Sequence, residues 1–172
     1  NRYNYQYSGG GGAGGSLWLE TNEFTGQGII KAYGGDGGGA GHSWTHQGMA
    51  GAGGRIAVAY EVWTHTGAIE AFGGNGRSGY AQPGTIYLHS KFEVSDSVLM
   101  IDTGKDRNPP DNPYPFFDPD QPDNMQYVFP SLQLLGNTRL EFSPVFDTDD
   151  EAARSLTIGS LQGSPSATLI VK

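Results

Sequence analysis

Short stretches of alternating apolar and polar residues recur along the first half of the chain. In Gly28–Tyr33 and Gly67–Phe72 the runs IKAY and IEAF point every second side chain to one face, which is the two-residue period of a half-buried β-strand. Leu17–Leu19 and Ile56–Tyr60 alternate in the same way after GAGG segments, and TIYL at 85–88 begins a third, shortened unit. The pattern predicts two short strands per unit, separated by glycine-rich turns.

Apolar runs in the second half predict further strands. They are Ser97–Ile101, Tyr127–Phe129, Leu132–Leu135, Arg139–Phe142, Leu156–Ile158 and Ala167–Val171. Residues 103–126 separate the first of these from the others and are rich in proline and aspartate. Because proline lacks the amide that a helix or a central strand needs, this stretch is predicted to be a long loop. Its aromatic residues predict that it packs back on the body or on a neighbouring molecule.

Glycine organises the first half, which holds 24 of the 28 glycines before position 85. Sliding the chain on itself by 39 residues aligns 12–37 with 51–76 without a gap, and 11 of the 26 positions are identical. Glycine content alone does not explain the matched apolar positions, so the repeat is genuine. Units of this size cannot bury an apolar face alone, and they must therefore stack.

Stacked strand pairs joined by glycine corners predict an all-β, glycine-rich β-helix or β-solenoid; the alternative is a β-sandwich. Glycine supplies positive-φ corners, and glycine or alanine fits where backbones approach closely. With 36% hydrophobic and 16% charged residues, the chain is predicted to form one domain over 1–172. Its parts are a glycine-rich repeat region, 9–102, with units near 12–50 and 51–89, the Pro/Asp-rich loop, 103–126, and C-terminal strands, 127–172.

The motifs GAGGRIAVAY (51–60), GAIEAFGG (67–74) and GTIYL (84–88) resemble a pattern of large bacterial and protist surface proteins. In those proteins such segments lead into β-helix coils. The resemblance covers roughly residues 9–102 and implies an extracellular or cell-surface structural region, with no catalytic residue to carry over. The Pro/Asp-rich stretch departs from the pattern.

Charge and residue content exclude several classes of function. The net charge of −8 disfavours nucleic acid as a partner, and cysteine is absent, which removes disulfides and thiolate chemistry. No apolar stretch is long enough to insert into a membrane. The first residues lack a signal peptide, so we interpret the chain as a processed protein or a segment of a longer one.

Both ends of the chain contain strand-like segments. Tyr3, Tyr5 and Tyr7 alternate with polar residues in Arg2–Ser8, and Leu169, Ile170 and Val171 lie in an apolar run. Unpaired strand edges invite another chain. These six residues are the predicted assembly residues, and the predicted partner is a second copy of the chain.

Acidic loops offer better candidate metal ligands than the pair His42 and His46, whose glycine-rich surroundings are not helical. Calcium prefers carboxylate oxygens, and the candidates are Asp118, Asp120, Asp123, Asp147, Asp149 and Asp150. Neither loop has the EF-hand spacing, and runs of charge are usually solvated surface. No cofactor is otherwise predicted.

Aromatic and proline side chains suggest contacts with sugars. Trp18, Trp44 and Trp63 are candidates for stacking on glycans, although Trp63 aligns with Phe24 in the repeat, which favours a packing role. Pro109, Pro110 and Pro113 are candidates for hydroxylation and O-glycosylation if the source is a eukaryotic cell wall or cell surface.

The sequence therefore predicts a non-enzymatic structural protein of an extracellular or cell-surface fibre, assembling end to end through terminal strands. The first alternative is a carbohydrate-binding or adhesive module. The second is a β-helical polysaccharide lyase or hydrolase, which would need paired carboxylates across a groove. Glycine runs generate GxGxxG matches without the strand–helix context of a nucleotide site, and no catalytic residue is predicted.

Overall fold

A computed structural model gives the fold and describes residues 8–39, 48–104, 107, 114–115, 126–142 and 155–171. Within these ranges the chain is all-β, as the sequence predicts. The only helical element described there is a single 3₁₀ turn, Val94–Asp96.

Most of the described strands have two to six residues, and only two, Gln126–Leu135 and Ser155–Gly163, are longer. In chain order they are β1 (Ser16–Glu20), β2 (Glu23–Gly26), β3 (Ile30–Lys31), β4 (Arg55–Tyr60), β5 (Val62–His65), β6 (Ile69–Glu70), β7 (Asn75–Gly76), β8 (Gly79–Tyr80), β9 (Thr85–Ser90), β10 (Val98–Asp102), β11 (Tyr114–Pro115), β12 (Gln126–Leu135), β13 (Arg139–Phe142), β14 (Ser155–Gly163) and β15 (Thr168–Val171).

The two repeat units lie side by side in parallel register, at the 39-residue offset that the sequence alignment gives. β1 pairs with β4, β2 with β5 and β3 with β6, so that Leu17 lies beside Ile56 and Ile30 beside Ile69. The prediction of two strands per unit is wrong, because the units contain a third pair, β2 and β5. Identical side-chain patterns at one offset favour this register, since a slip would turn apolar side chains to the wrong face.

The largest sheet has six strands in the order β1-β4-β9-β10-β12-β14. Its pairings are parallel except for β9 with β10, where the chain reverses through the 3₁₀ turn. β12 merges two predicted strands across Pro130, and its pairing with β14 holds on both sides of that residue. A second sheet of three strands, in the order β11-β13-β15, returns the Pro/Asp-rich loop to the body at Tyr114–Pro115.

The six-stranded sheet buries opposite faces in its two halves. The first core is centred on Ile56, Val58 and Ile86, and the second on Leu99, Leu132 and other aliphatic residues. Ile86 faces Met100 across the antiparallel pair, whereas Tyr87 faces Leu99. Because neighbouring residues of a strand point to opposite faces, the two cores lie on opposite sides of one sheet.

Glycine-rich segments hydrogen-bond to one another through their backbones with a period of three. We call residues 8–15, 32–38, 48–54, 71–77 and 79–84 the glycine layer. Its donor-to-acceptor pairs include Gly11 to Met49, Gly14 to Ala52, Gly34 to Phe72, Gly37 to Asn75, Gly48 to Gly38, Gly51 to Gly35, Gly54 to Ala32, Gly53 to Gln82 and Gly74 to Gly51. A step of three residues is the turn of a polyproline II helix, which has no hydrogen bonds of its own. Segment 48–54 bonds to all four others and is therefore the centre of the layer.

Close approach, rather than turn geometry, explains most glycines of this layer. A Cβ atom at Gly48, Gly51 or Gly54 would come closer than 3.0 Å to the backbone of segment 8–15. Positive φ occurs instead at a few corners, such as Gly26 and Gly79. The prediction of close backbone approach is confirmed, whereas the positive-φ role assigned to the GAGG and GG motifs is wrong.

Replacing Gly51 by alanine is expected to destabilise the fold by roughly 1–3 kcal/mol, because the new methyl group overlaps backbone that cannot move independently. Gly12→Ala is the matched control, since its Cβ meets nothing within 4 Å. That change should be neutral or stabilise by about 0.4–1 kcal/mol through the unfolded chain. Urea unfolding of both variants checks this, and equal losses of stability would contradict the close-packed layer.

Candidate functional site

One row of side chains crosses the whole six-stranded sheet on a single face. The strand registers give the row as Trp18, Ala57, Tyr87, Leu99, Leu132 and Leu161. We call it the cross-sheet row. Its inner members Leu99 and Leu132 are buried and Ala57 and Tyr87 are partly buried, but its two ends are open, with Trp18 68% and Leu161 53% exposed. The row therefore ends in large apolar side chains at both edges of the sheet.

The first edge is formed by β1, whose outer side pairs with no strand among the described residues. Leu17 and Leu19 point to the first core but remain partly exposed, whereas their neighbours in the second unit, Ile56 and Val58, are buried. The same core is thus closed in the middle of the stack and open at this edge. A further strand here would cover apolar surface and satisfy free backbone groups.

The opposite edge is formed by β14 and β15. β15 is the outer strand of the three-stranded sheet, and Leu169 packs against the second core while remaining half-buried. Its neighbour Leu140, one strand inward, is buried. Ile170 is also half-buried, and Val171 pairs with Phe142 through its backbone. The C-terminal assembly residues therefore lie on an open strand edge.

Many of the predicted site residues lie outside the described residues. These are Tyr3, Tyr5, Tyr7, Trp44, Pro109, Pro110, Pro113, Asp118, Asp120, Asp123, Asp147, Asp149 and Asp150. Among the residues that the structure does describe, no group of three or more histidine, aspartate or glutamate side chains is arranged to hold a metal ion.

The two described tryptophans differ in their surroundings. Trp63 lies beside Phe24 in the register of β2 and β5, and the two rings stack with centroids 4.8 Å apart. Tyr60 and His65 contact the same indole, so Trp63 belongs to a packed aromatic cluster. Trp18 is the open one, and it lies at the end of the cross-sheet row.

An arginine in the Pro/Asp-rich loop binds a cluster of aromatic rings that sequence reasoning missed. The Arg107 guanidinium lies 4.7 Å from the ring centre of Phe72 and 5.0 Å from that of Tyr80, and it donates a hydrogen bond to the Gly73 carbonyl. Cation–π attraction of this kind stabilises by about 0.5–2 kcal/mol. No sequence signal indicated it, because Arg107 is distant in the chain from both rings.

The backbone of Arg107 makes hydrogen bonds to the C-terminal half of the molecule and to its own loop. Its carbonyl accepts a hydrogen bond from the Asn137 side chain, and its amide donates to Gly104. Asn137 lies in the turn between β12 and β13. Arg107 thus joins the glycine-rich half to the second core.

Tyr33 belongs to the same aromatic cluster, and the pKa of its hydroxyl is raised. Its hydroxyl donates to the Glu70 carboxylate, and its ring stacks on Phe72. Burial first, and then the hydrogen bond to Glu70 and its negative charge, raise the pKa of Tyr33 to about 12. Lys31 forms an ion pair with the same carboxylate, with its Nζ atom 3.8 Å from Glu70 Oε2.

Comparisons with protein-family models, with curated proteins and with solved structures found no match to this chain. None of the described helical segments is long and apolar enough to cross a membrane.

The Tyr33 contact predicts a specific dependence of stability on pH. Because the folded-state pKa of Tyr33 is raised above its ordinary value, the stabilisation is fully present below pH 10 and is lost as pH rises to about 12. Tyr33→Phe removes the hydrogen bond, so the wild-type protein should be the more stable at pH 8, and the difference should shrink toward pH 12. Urea midpoints of both proteins across this range measure it. A difference that stays constant would contradict the contact.

Proposed function

We propose that this chain is a non-enzymatic structural protein, a glycine-rich β-solenoid of an extracellular or cell-surface fibre, which assembles end to end through its outer strands. The observation that carries the proposal is the pair of open edges on a stack that is otherwise closed. β1 and β14 have no outer strand among the described residues, and each presents partly exposed side chains of a core that is buried one strand inward.

Backbone hydrogen bonds between the stacked strands would give a fibre unit its stiffness. Parallel strands in register form continuous backbone ladders, and the glycine layer adds hydrogen bonds between neighbouring segments. Each bond contributes only about 0.5–1.5 kcal/mol, but they act together across the stack. Stiffness would therefore come from the backbone rather than from particular side chains.

The two edges differ from each other, and this difference favours a chain of copies over a closed pair. A contact between two unlike surfaces of identical subunits repeats and generates a filament when the rotation does not close. Strand addition at an open edge is an established way for protein segments to join. Arg2–Ser8 and Ala167–Val171 are the terminal segments to which the proposal assigns this addition.

The extracellular location rests on the resemblance of GAGGRIAVAY, GAIEAFGG and GTIYL to segments of large surface proteins. The proposed partner is a second copy of the chain. No catalytic residue and no cofactor enters the proposal.

Light scattering of the purified chain over a range of concentrations tests this function, together with electron microscopy of the same samples. We expect mass to increase with concentration and elongated particles to appear. Deleting residues 1–8 should weaken the assembly, with circular dichroism as the control for folding. A monomer at high concentration that is unaffected by the deletion would contradict the proposal.

A further inference from the structure

The direction of the strands determines how two copies can meet. β1, β4 and β9 run in one direction, because their pairings are parallel, and β10, β12 and β14 run in the other. The two outer strands of the six-stranded sheet are therefore antiparallel to each other. If a second copy continues the sheet in the same orientation, its β1 lies antiparallel to β14 of the first copy.

The molecule already contains a junction of this kind between its own halves. β9 and β10 are antiparallel, with Tyr87 opposite Leu99, Ile86 opposite Met100 and Leu88 opposite Val98. Across this pair Met100 packs against the first core and Tyr87 against the second. The junction thus covers the end of each core with a side chain from the other half.

Each strand of that junction is connected by parallel pairings to one edge strand of the sheet, so each junction residue has an equivalent in β1 or in β14. On one side, Tyr87 lies in register with Ala57 and so with Trp18. On the other side, Leu99 lies in register with Leu132 and so with Leu161. Trp18 therefore occupies the position of Tyr87, and Leu161 that of Leu99.

The residues beside this pair follow the same correspondence. Leu17 and Leu19 take the positions of Ile86 and Leu88. Gln162 and Ser160 take those of Met100 and Val98. An outer junction built like the inner one would pair Leu17 with Gln162 and Leu19 with Ser160, and their side chains would lie on the face opposite to that of Trp18 and Leu161.

We propose that copies join head to tail by antiparallel pairing of β14 with β1 of the next copy, in the register that places Leu161 opposite Trp18. This inference rests on the proposed end-to-end assembly. To the strand addition assigned to Arg2–Ser8 and Ala167–Val171 it adds a direct contact between the six-stranded sheets of the two copies. The junction would make the cross-sheet row continuous from copy to copy. The two most exposed members of that row, Trp18 and Leu161, would then cover each other.

The chemistry of the two edges agrees with this pairing. Natural edge strands are usually protected from pairing by charged residues or proline, yet β14 (SLTIGSLQG) contains neither. The only charged residue of β1 is Glu20, which forms an ion pair with Lys91 at 3.0 Å. In the proposed register Glu20 faces Gly159, so no like charges meet.

Single cysteines test this register directly, since the chain has no cysteine of its own. Opposed residues of an antiparallel pair have Cα atoms about 4.5–5.5 Å apart, which suits a disulfide. We expect Trp18→Cys and Leu161→Cys, mixed at a concentration that supports assembly and then oxidised, to give a covalent dimer containing one copy of each. Neither variant oxidised alone should give a dimer.

Two controls define the geometry. Tyr87→Cys with Leu99→Cys in one chain should form an internal disulfide, because it reproduces the known inner pair. Trp18→Cys mixed with Gln162→Cys should not cross-link, since the register places these residues on opposite faces. Both Trp18 and Leu161 are exposed, so their substitution should leave folding intact, and circular dichroism checks this.

The outcomes separate the inference from the function on which it rests. A dimer from Trp18→Cys alone, or from Leu161→Cys alone, would indicate a twofold contact between identical edges and would overturn the head-to-tail register. Assembly by light scattering without the mixed Trp18→Cys and Leu161→Cys dimer, under oxidation that does form the internal disulfide, would also overturn the register, while leaving the proposed fibre intact. Absence of assembly in the wild-type chain would reject the fibre itself.

Discussion

Backbone hydrogen bonding between glycine segments is the constraint on which the first half of this protein depends. Every third amide of segment 48–54 donates to a neighbouring segment, and the Cβ atom of any other residue at those positions would overlap backbone. The glycines are therefore needed for the distance between segments. This explains why a chain with 28 glycines has a defined fold, although glycine loses the most conformational freedom on folding. The layer also holds β1, β4 and β9 in one register, because segments 8–15, 48–54 and 79–84 lead into those strands.

Because the chain reverses between β9 and β10, the two halves of the six-stranded sheet pack against different hydrophobic cores. Each half of the sheet buries a different face, and Arg107 connects the halves away from the sheet through Phe72, Tyr80 and Asn137. The cost of this arrangement is that each core is closed on the side of the reversal and open at the outer edge. The open edges and the inner junction are thus two consequences of the same topology, and the proposed contact between copies repeats it.

Sequence reasoning predicted the strand pairing of the repeat because a parallel stack places equivalent residues side by side. The match of Phe24 with Trp63 in the alignment is also their contact in space. It missed β2 and β5 as strands, since EFTG and VWTH are short and differ in polarity. It divided β12 at Pro130, although a proline is tolerated there between two paired stretches. The reversal at β9 and the contacts of Arg107 join residues by tertiary packing alone, and no local pattern indicates them.

Amide hydrogen exchange of the glycine layer tests the central claim most directly. The account predicts that the amides of Gly48, Gly51 and Gly54 exchange only with global unfolding, because each donates to the backbone of segment 32–38. Protection should recur at every third residue and extend to Gly11 and Gly14. Exchange of the Gly51 and Gly54 amides at the rate of an unfolded chain, under conditions where β4 is protected, would contradict it.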